Sequence, residues 1–171
     1  MTYAYDCVRH FYGERTAKRS GVRLMNHIDE GLKILEAIGA AEVAKAAFCL
    51  HPLFQEDAEL ARHTGSILIH RISPRTLMNV IEYRNQANAW LGDKVTKIDG
   101  AIKIQGAPTP GPLLDVKHML IADKVQNYKD FIQFHQGIHA RSDELTVYFE
   151  RWLQALGVSR QQFFELEELC R

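Results

Sequence analysis

Four polar side chains fall where the periodicity of this sequence asks for apolar ones. In the helix that Pro112 should open, Val116, Leu120, position 123 and position 127 recur at steps of four, three and four. They therefore share one face, yet the last two are Asp123 and Asn127. In the helix running from Ser73 toward Gly92, the face carrying Leu77, Ile81 and Leu91 also carries Arg84 and Asn88. His27 opens a helix beside its apolar side, and His51 closes the apolar run of "AKAAFCLHPLFQED", with Glu56 and Asp57 close behind. A bare carboxylate on a buried stripe costs several kcal/mol unless a cation or hydrogen-bond donors meet it. Two imidazoles and a carboxylate together suit a first-row divalent ion. Such an ion lowers the pKa of bound water enough to generate hydroxide near neutral pH.

Plainer roles exist for each group. A histidine at a helix end commonly caps the helix or completes a core hydrogen bond. Asp123 could pair with Arg84 as a structural ion pair, and "QED" could be the charged first turn of an exposed helix. His10, His63, His70, His118, His135 and His139 show no convergent spacing. It is the inward-facing set as a whole that points to a site.

The elements that must position this set are helices. The patterning predicts a first helix over Tyr3–Tyr12 and a basic connector, then a second helix capped by Asn26 and ended by Gly39. A third, over Ala41–Leu50, should stop at Pro52, because the residue before a proline is pushed out of the helical region. A short acidic helix follows near Gln55, and Ser73-Pro74 caps and opens a long helix reaching Leu91. Asp99-Gly100 marks the turn of a small hairpin near residues 95–105. Ser142 and Ser159 are candidate caps for two terminal helices. The expected fold is all-α, a single helical domain over residues 1–171 with that one hairpin.

Bulk properties narrow the function classes. Twenty-one basic and 21 acidic residues cancel, which leaves no electrostatic footprint for nucleic acid or an anionic membrane. No apolar run approaches the ~20 residues of a membrane span, and the polar start does not read as a signal peptide. Cys7, Cys49 and Cys170 are far apart and form no CxxC, which suggests reduced thiols and a cytoplasmic location. The C-terminal aromatics Tyr148, Phe149, Trp152, Phe163 and Phe164 would pack on the core or on a second copy of the chain, so a homo-oligomer is open.

The segment "RTAKRSGVRLMNHIDEGLKILEAIGA" resembles the opening of the hydrolase domain of RelA/SpoT-type alarmone enzymes, the small stand-alone hydrolases in particular. There a basic-Ser-Gly turn leads, six residues on, to the first metal histidine, and Gly21 and His27 keep that interval. "AAFCLH" is similar to the family's second histidine segment, with His51 24 residues after His27. "IADKVQNYKDF" resembles the segment of the distal metal aspartate, which maps onto Asp123, and Asn127 onto a substrate-site asparagine. The resemblance spans residues 14 to 131 and extends to the wider HD-type metal phosphohydrolases. It implies an HD-like helical bundle with metal ligands on facing helices. Two departures stand out. Pro52 occupies the place of the family's metal-binding aspartate. Glu56 and Asp57 follow His51 by five and six residues, where the family's catalytic pair follows by four and five.

Three functions follow from these readings. The first is a metal-dependent phosphohydrolase with Mn²⁺, or Zn²⁺, Fe²⁺, Co²⁺ or Mg²⁺, held by His27, His51 and Asp123. Glu56 or Asp57 would complete the shell or orient the attacking water. Lys18, Arg19, Arg84, Asn88 and Asn127 would contact a nucleotide, by resemblance one with a 3′-pyrophosphate such as ppGpp. The second is a nucleotide-binding sensor or sponge without turnover, since a missing ligand weakens metal affinity. The third is a structural interaction module braced by Arg84 and Asp123.

Overall fold

The computed structural model describes residues 2–18, 20–66 and 70–171. Among them are eight α-helices and one two-stranded hairpin. The helices are α1 (Thr2–Tyr12), α2 (Met25–Ala37), α3 (Glu42–Leu50), α4 (Asp57–Thr64), α5 (Pro74–Ala89), α6 (Leu114–Phe134), α7 (Ser142–Leu156) and α8 (Arg160–Glu168). The strands β1 (Val95–Ile98) and β2 (Ala101–Ile104) pair antiparallel, Val95 opposite Ile104 and Ile98 opposite Ala101. Asp99 and Gly100 both take positive φ, 50° and 78°, as the two-residue hairpin turn requires. None of the described helices is long and apolar enough to cross a membrane.

Helix α3 is the hub. Ala44, Ala47, Phe48, Cys49 and Leu50 are all fully buried, because α3 packs against α1 on one side and α5 and α6 on the others. An element buried nearly all round reads as a short apolar run rather than a striped helix. Gly31 of α2 fits the Phe48 ring: a Cβ at that position would overlap the ring, so the glycine sets how closely α2 and α3 approach. That approach brings His27, at the start of α2, beside His51.

Several boundaries differ from expectation, each for a physical reason. Helix α2 starts at Met25 rather than being capped by Asn26, because Asn26 N already donates to Arg23 O (3.0 Å). The chain does not leave the helical region at His51. That residue keeps φ −55° and ψ −36°, and the helix tightens into a 3₁₀ turn, His51–Leu53, closed by Phe54 N donating to His51 O. Proline is tolerated there because its missing N–H lies in the first turn of the new helix. Helix α5 is capped by Ser73, whose hydroxyl accepts from Thr76 N at 3.1 Å. It ends at Ala89 instead of Leu91, since Trp90 turns out to stack on Tyr148 at 5.4 Å between ring centroids. Helix α6 begins at Leu114, not Pro112. Ser142 does not cap α7; its hydroxyl accepts from Gly137 N in the preceding turn. Ser159 does cap α8, reciprocally with Gln162.

The buried face of α5 is also rotated from the expected one. Thr76, Val80, Tyr83, Ala87 and Trp90 point inward, while Leu91 is exposed. Tyr83 and Ala87 therefore reach the interior where Arg84 and Asn88 were expected.

Candidate metal centre

His27 from α2, His51 at the end of α3 and Asp123 from α6 converge. Each offers a ligand atom, and those atoms lie within 4.8 Å of one another. His27 Nε2 is 3.3 Å from His51 Nε2 and 3.6 Å from Asp123 Oδ1. His51 Nδ1 lies 2.6 Å from Phe48 O and must donate to it, since a carbonyl only accepts. That leaves His51 Nε2 as a lone pair aimed at the cluster. Burial, with His27 adding to it, pushes the His51 imidazole down to about 3, so it is neutral and available as a ligand.

Asp123 sits at the junction of the helical polar face and the cavity. Its Oδ2 is 2.7 Å from Lys124 Nζ, and its Oδ1 accepts from Asn127 Nδ2 at 2.8 Å. Burial alone would raise the Asp123 carboxyl, but Lys124 foremost, with His27 and His51, overrides it and holds the group at about 2. Lys124 is itself buried. Burial disfavours its charge, yet Asp123 and Tyr148 keep the ammonium protonated well beyond the usual lysine range. It lies 5.1 Å from the Trp152 ring centroid and 3.3 Å from Tyr148 Oη. Burial first, then the charge of the Asp123 carboxylate, raises the Tyr83 phenol well above its ordinary value.

These groups line a cavity of about 460 Å³. Its walls include Tyr12, Ser20, Arg23, Pro52, Glu56, Tyr83, Asn127 and Tyr148. The donor set fits a divalent ion: two imidazole nitrogens and one carboxylate oxygen on three elements, with room beside them. Three protein ligands plus an open position is the pattern of catalytic rather than structural sites.

The other sequence-derived candidates divide. Glu56 lines the cavity, as does Asn127. Asp57 points away, almost wholly exposed and paired with Arg84. Arg84 also donates through Nε to Gln55 O at 3.1 Å, and Asn88 Nδ2 donates to the same carbonyl at 3.3 Å. Neither Arg84 nor Asn88 lines the cavity; both anchor the turn that carries Gln55 and Glu56. The suggested Arg84–Asp123 ion pair is not formed: Arg84 meets Asp57, and Asp123 meets Lys124. Lys18 is exposed and outside the cavity wall. Arg19 lies outside the described residues.

Several site residues escaped the sequence reading: Lys124, Gln126, Tyr83, Tyr12 and Arg23. Gln126 Oε1 lies 2.6 Å from His27 Nδ1. The one usable signal was the α6 segment "ADKVQN", in which charged and amide residues occupy successive positions of a buried helix.

Comparison of the chain with family models, with curated proteins and with solved structures gives no match.

Proposed function

We propose that the protein is a metal-dependent phosphohydrolase with an HD-like helical arrangement, acting on a phosphorylated nucleotide. The observation that supports this most is the convergence of His27, His51 and Asp123 within 4.8 Å beside a cavity. His27 Nε2, His51 Nε2 and Asp123 Oδ1 would hold the ion. When bound, it would supply Lewis acidity toward a phosphoryl oxygen and a lowered pKa for its water.

The chain's own groups would do the rest. Lys124 keeps the Asp123 carboxylate ionised, and Asn127 holds its Oδ1 by a hydrogen bond. Glu56, at the cavity wall, would take a proton from an attacking water. Arg23 is an exposed cation of the wall and would take the nucleotide-contact role expected of Lys18 and Arg84. Phe11, Tyr12 and Tyr148 line the same cavity and would give it aromatic surface toward a base. A nucleotide carrying a 3′-pyrophosphate, such as ppGpp, is the first substrate to try. With Arg84 and Asn88 turned aside, nucleotides carrying a single phosphate belong in the same test.

A second reading, nucleotide binding without turnover, is favoured by Pro52. It lines the cavity and carries no ligand atom where the resembling family has an aspartate.

A phosphate-release screen of nucleotides with Mn²⁺, Zn²⁺, Co²⁺ and Mg²⁺ separates the two. The enzyme reading expects release with at least one pair, lost in His27→Ala and reduced about 10²–10⁴-fold in Glu56→Gln. Metal and nucleotide bound together, with no release for any pair, would favour the sensor or sponge.

A further inference from the structure

We propose that Gln126 is a positioning residue that fixes the tautomer of His27 and so turns the His27 Nε2 lone pair into the metal site. The inference rests on the metal-centre reading above and extends it to a group outside the proposed ligand set.

Gln126 is fully buried on α6, three positions beyond Asp123. Its amide has two distinguishable ends, and its neighbours dictate which way round it sits. The Nε2 end lies 3.0 Å from Glu30 Oε2 and 2.8 Å from Asp130 Oδ2. Carboxylates only accept, so both N–H groups of the amide are committed to them. The Oε1 end is then the one left for His27 Nδ1, at 2.6 Å. An amide oxygen also only accepts, so His27 Nδ1 must carry the hydrogen. In a neutral imidazole that leaves Nε2 as the lone pair.

The two carboxylates are themselves held. Lys129 Nζ lies 2.6 Å from Glu30 Oε2 and 2.9 Å from Asp130 Oδ1. A chain of contacts thus runs from a buried lysine, through two acids and an amide, to the far nitrogen of the ring. With His51 fixed in the same tautomer by Phe48 O, two lone pairs face each other 3.3 Å apart. That arrangement is repulsive by itself and is relieved by a cation between them and Asp123. Partners that orient a ligating histidine typically change metal affinity about 10–100-fold when removed.

Nitrogen-15 NMR of the metal-free protein reads the tautomer directly. The expected result is the Nδ1–H form at His27 in the wild type and growth of the Nε2–H form in Gln126→Met. Mn²⁺ titration of the same samples should show about 10–100-fold weaker binding in Gln126→Met. The double variant Glu30→Gln/Asp130→Asn, which frees the amide to flip, should shift both readouts the same way with Gln126 still in place. An Nε2–H tautomer at His27 in the wild type would overturn the proposal, as would unchanged Mn²⁺ affinity in both variants. A wild type that binds no Mn²⁺ would instead overturn the metal reading, while the tautomer measurement would still decide the role of Gln126.

Discussion

Helix α6 buries two aspartates eight residues apart, Asp115 and Asp123, and the contrast between them separates a brace from a site. Asp115 Oδ2 accepts three hydrogen bonds: Arg75 Nη2 at 2.8 Å, Arg75 Nε at 3.2 Å and Asn79 Nδ2 at 3.1 Å. Among the described residues, the side chains that hydrogen-bond it, Arg75 and Asn79, both come from α5. Asp123 is also neutralised, by Lys124 at Oδ2, but its Oδ1, which accepts from Asn127, also faces the paired imidazoles, and beside them lies a cavity. Burial of a carboxylate is therefore uninformative until its partners are known. Donors close the account of a structural ion pair; facing lone pairs leave a place for a cation.

Variants that test this contrast can be ranked by expected effect. His51→Ala should lower divalent-metal affinity by more than about 100-fold, beyond what loss of an orienting partner costs. Asp115→Asn should leave that affinity unchanged, and equilibrium metal titration of both proteins checks the pair. Next, Asp123→Asn should destabilise the metal-free protein by ~3–5 kcal/mol, because it strands the buried Lys124 charge. Adding Lys124→Met should recover most of that loss in urea unfolding. Asp115→Asn should cost only ~1–2 kcal/mol, since the Arg75 side chain is 66% exposed and can turn to water. Gly31→Ala should cost ~1–3 kcal/mol by pushing the Phe48 ring from between α2 and α3. The same displacement should weaken metal binding, which a plain packing defect remote from the histidines would not do. Smallest is Arg84→Ala, at no more than ~1 kcal/mol with metal affinity unchanged, because Arg84 pairs with the exposed Asp57 outside the cavity.

Helix-end signals and the period along α6 were enough to single out His27, His51 and Asp123. The helical class and the Asp99-Gly100 hairpin turn were legible for similar reasons: local chemistry decides them. What surrounds the ligands was not. Helix α6 buries Ala122 through Gln126 without interruption, so no stripe distinguishes Lys124 and Gln126 from their neighbours. Helix α5 carries two interleaved apolar rows. Leu77, Ile81 and Leu91 read as the inner row, but Val80, Tyr83 and Ala87 are buried, and Arg84 and Asn88 turn with the outer one. Tertiary packing around Trp90 settles that phase, and it is invisible to a local pattern. Pro52 misled in the same way, since the 3₁₀ turn that accommodates it draws on contacts with Phe54 and the core.

An anomalous difference map from crystals grown with Mn²⁺ would show whether an ion occupies the centre. A single strong peak per chain is expected within coordination distance of His27 Nε2, His51 Nε2 and Asp123 Oδ1. A map with no peak among those three atoms, from crystals in which Mn²⁺ is present, would contradict the metal centre.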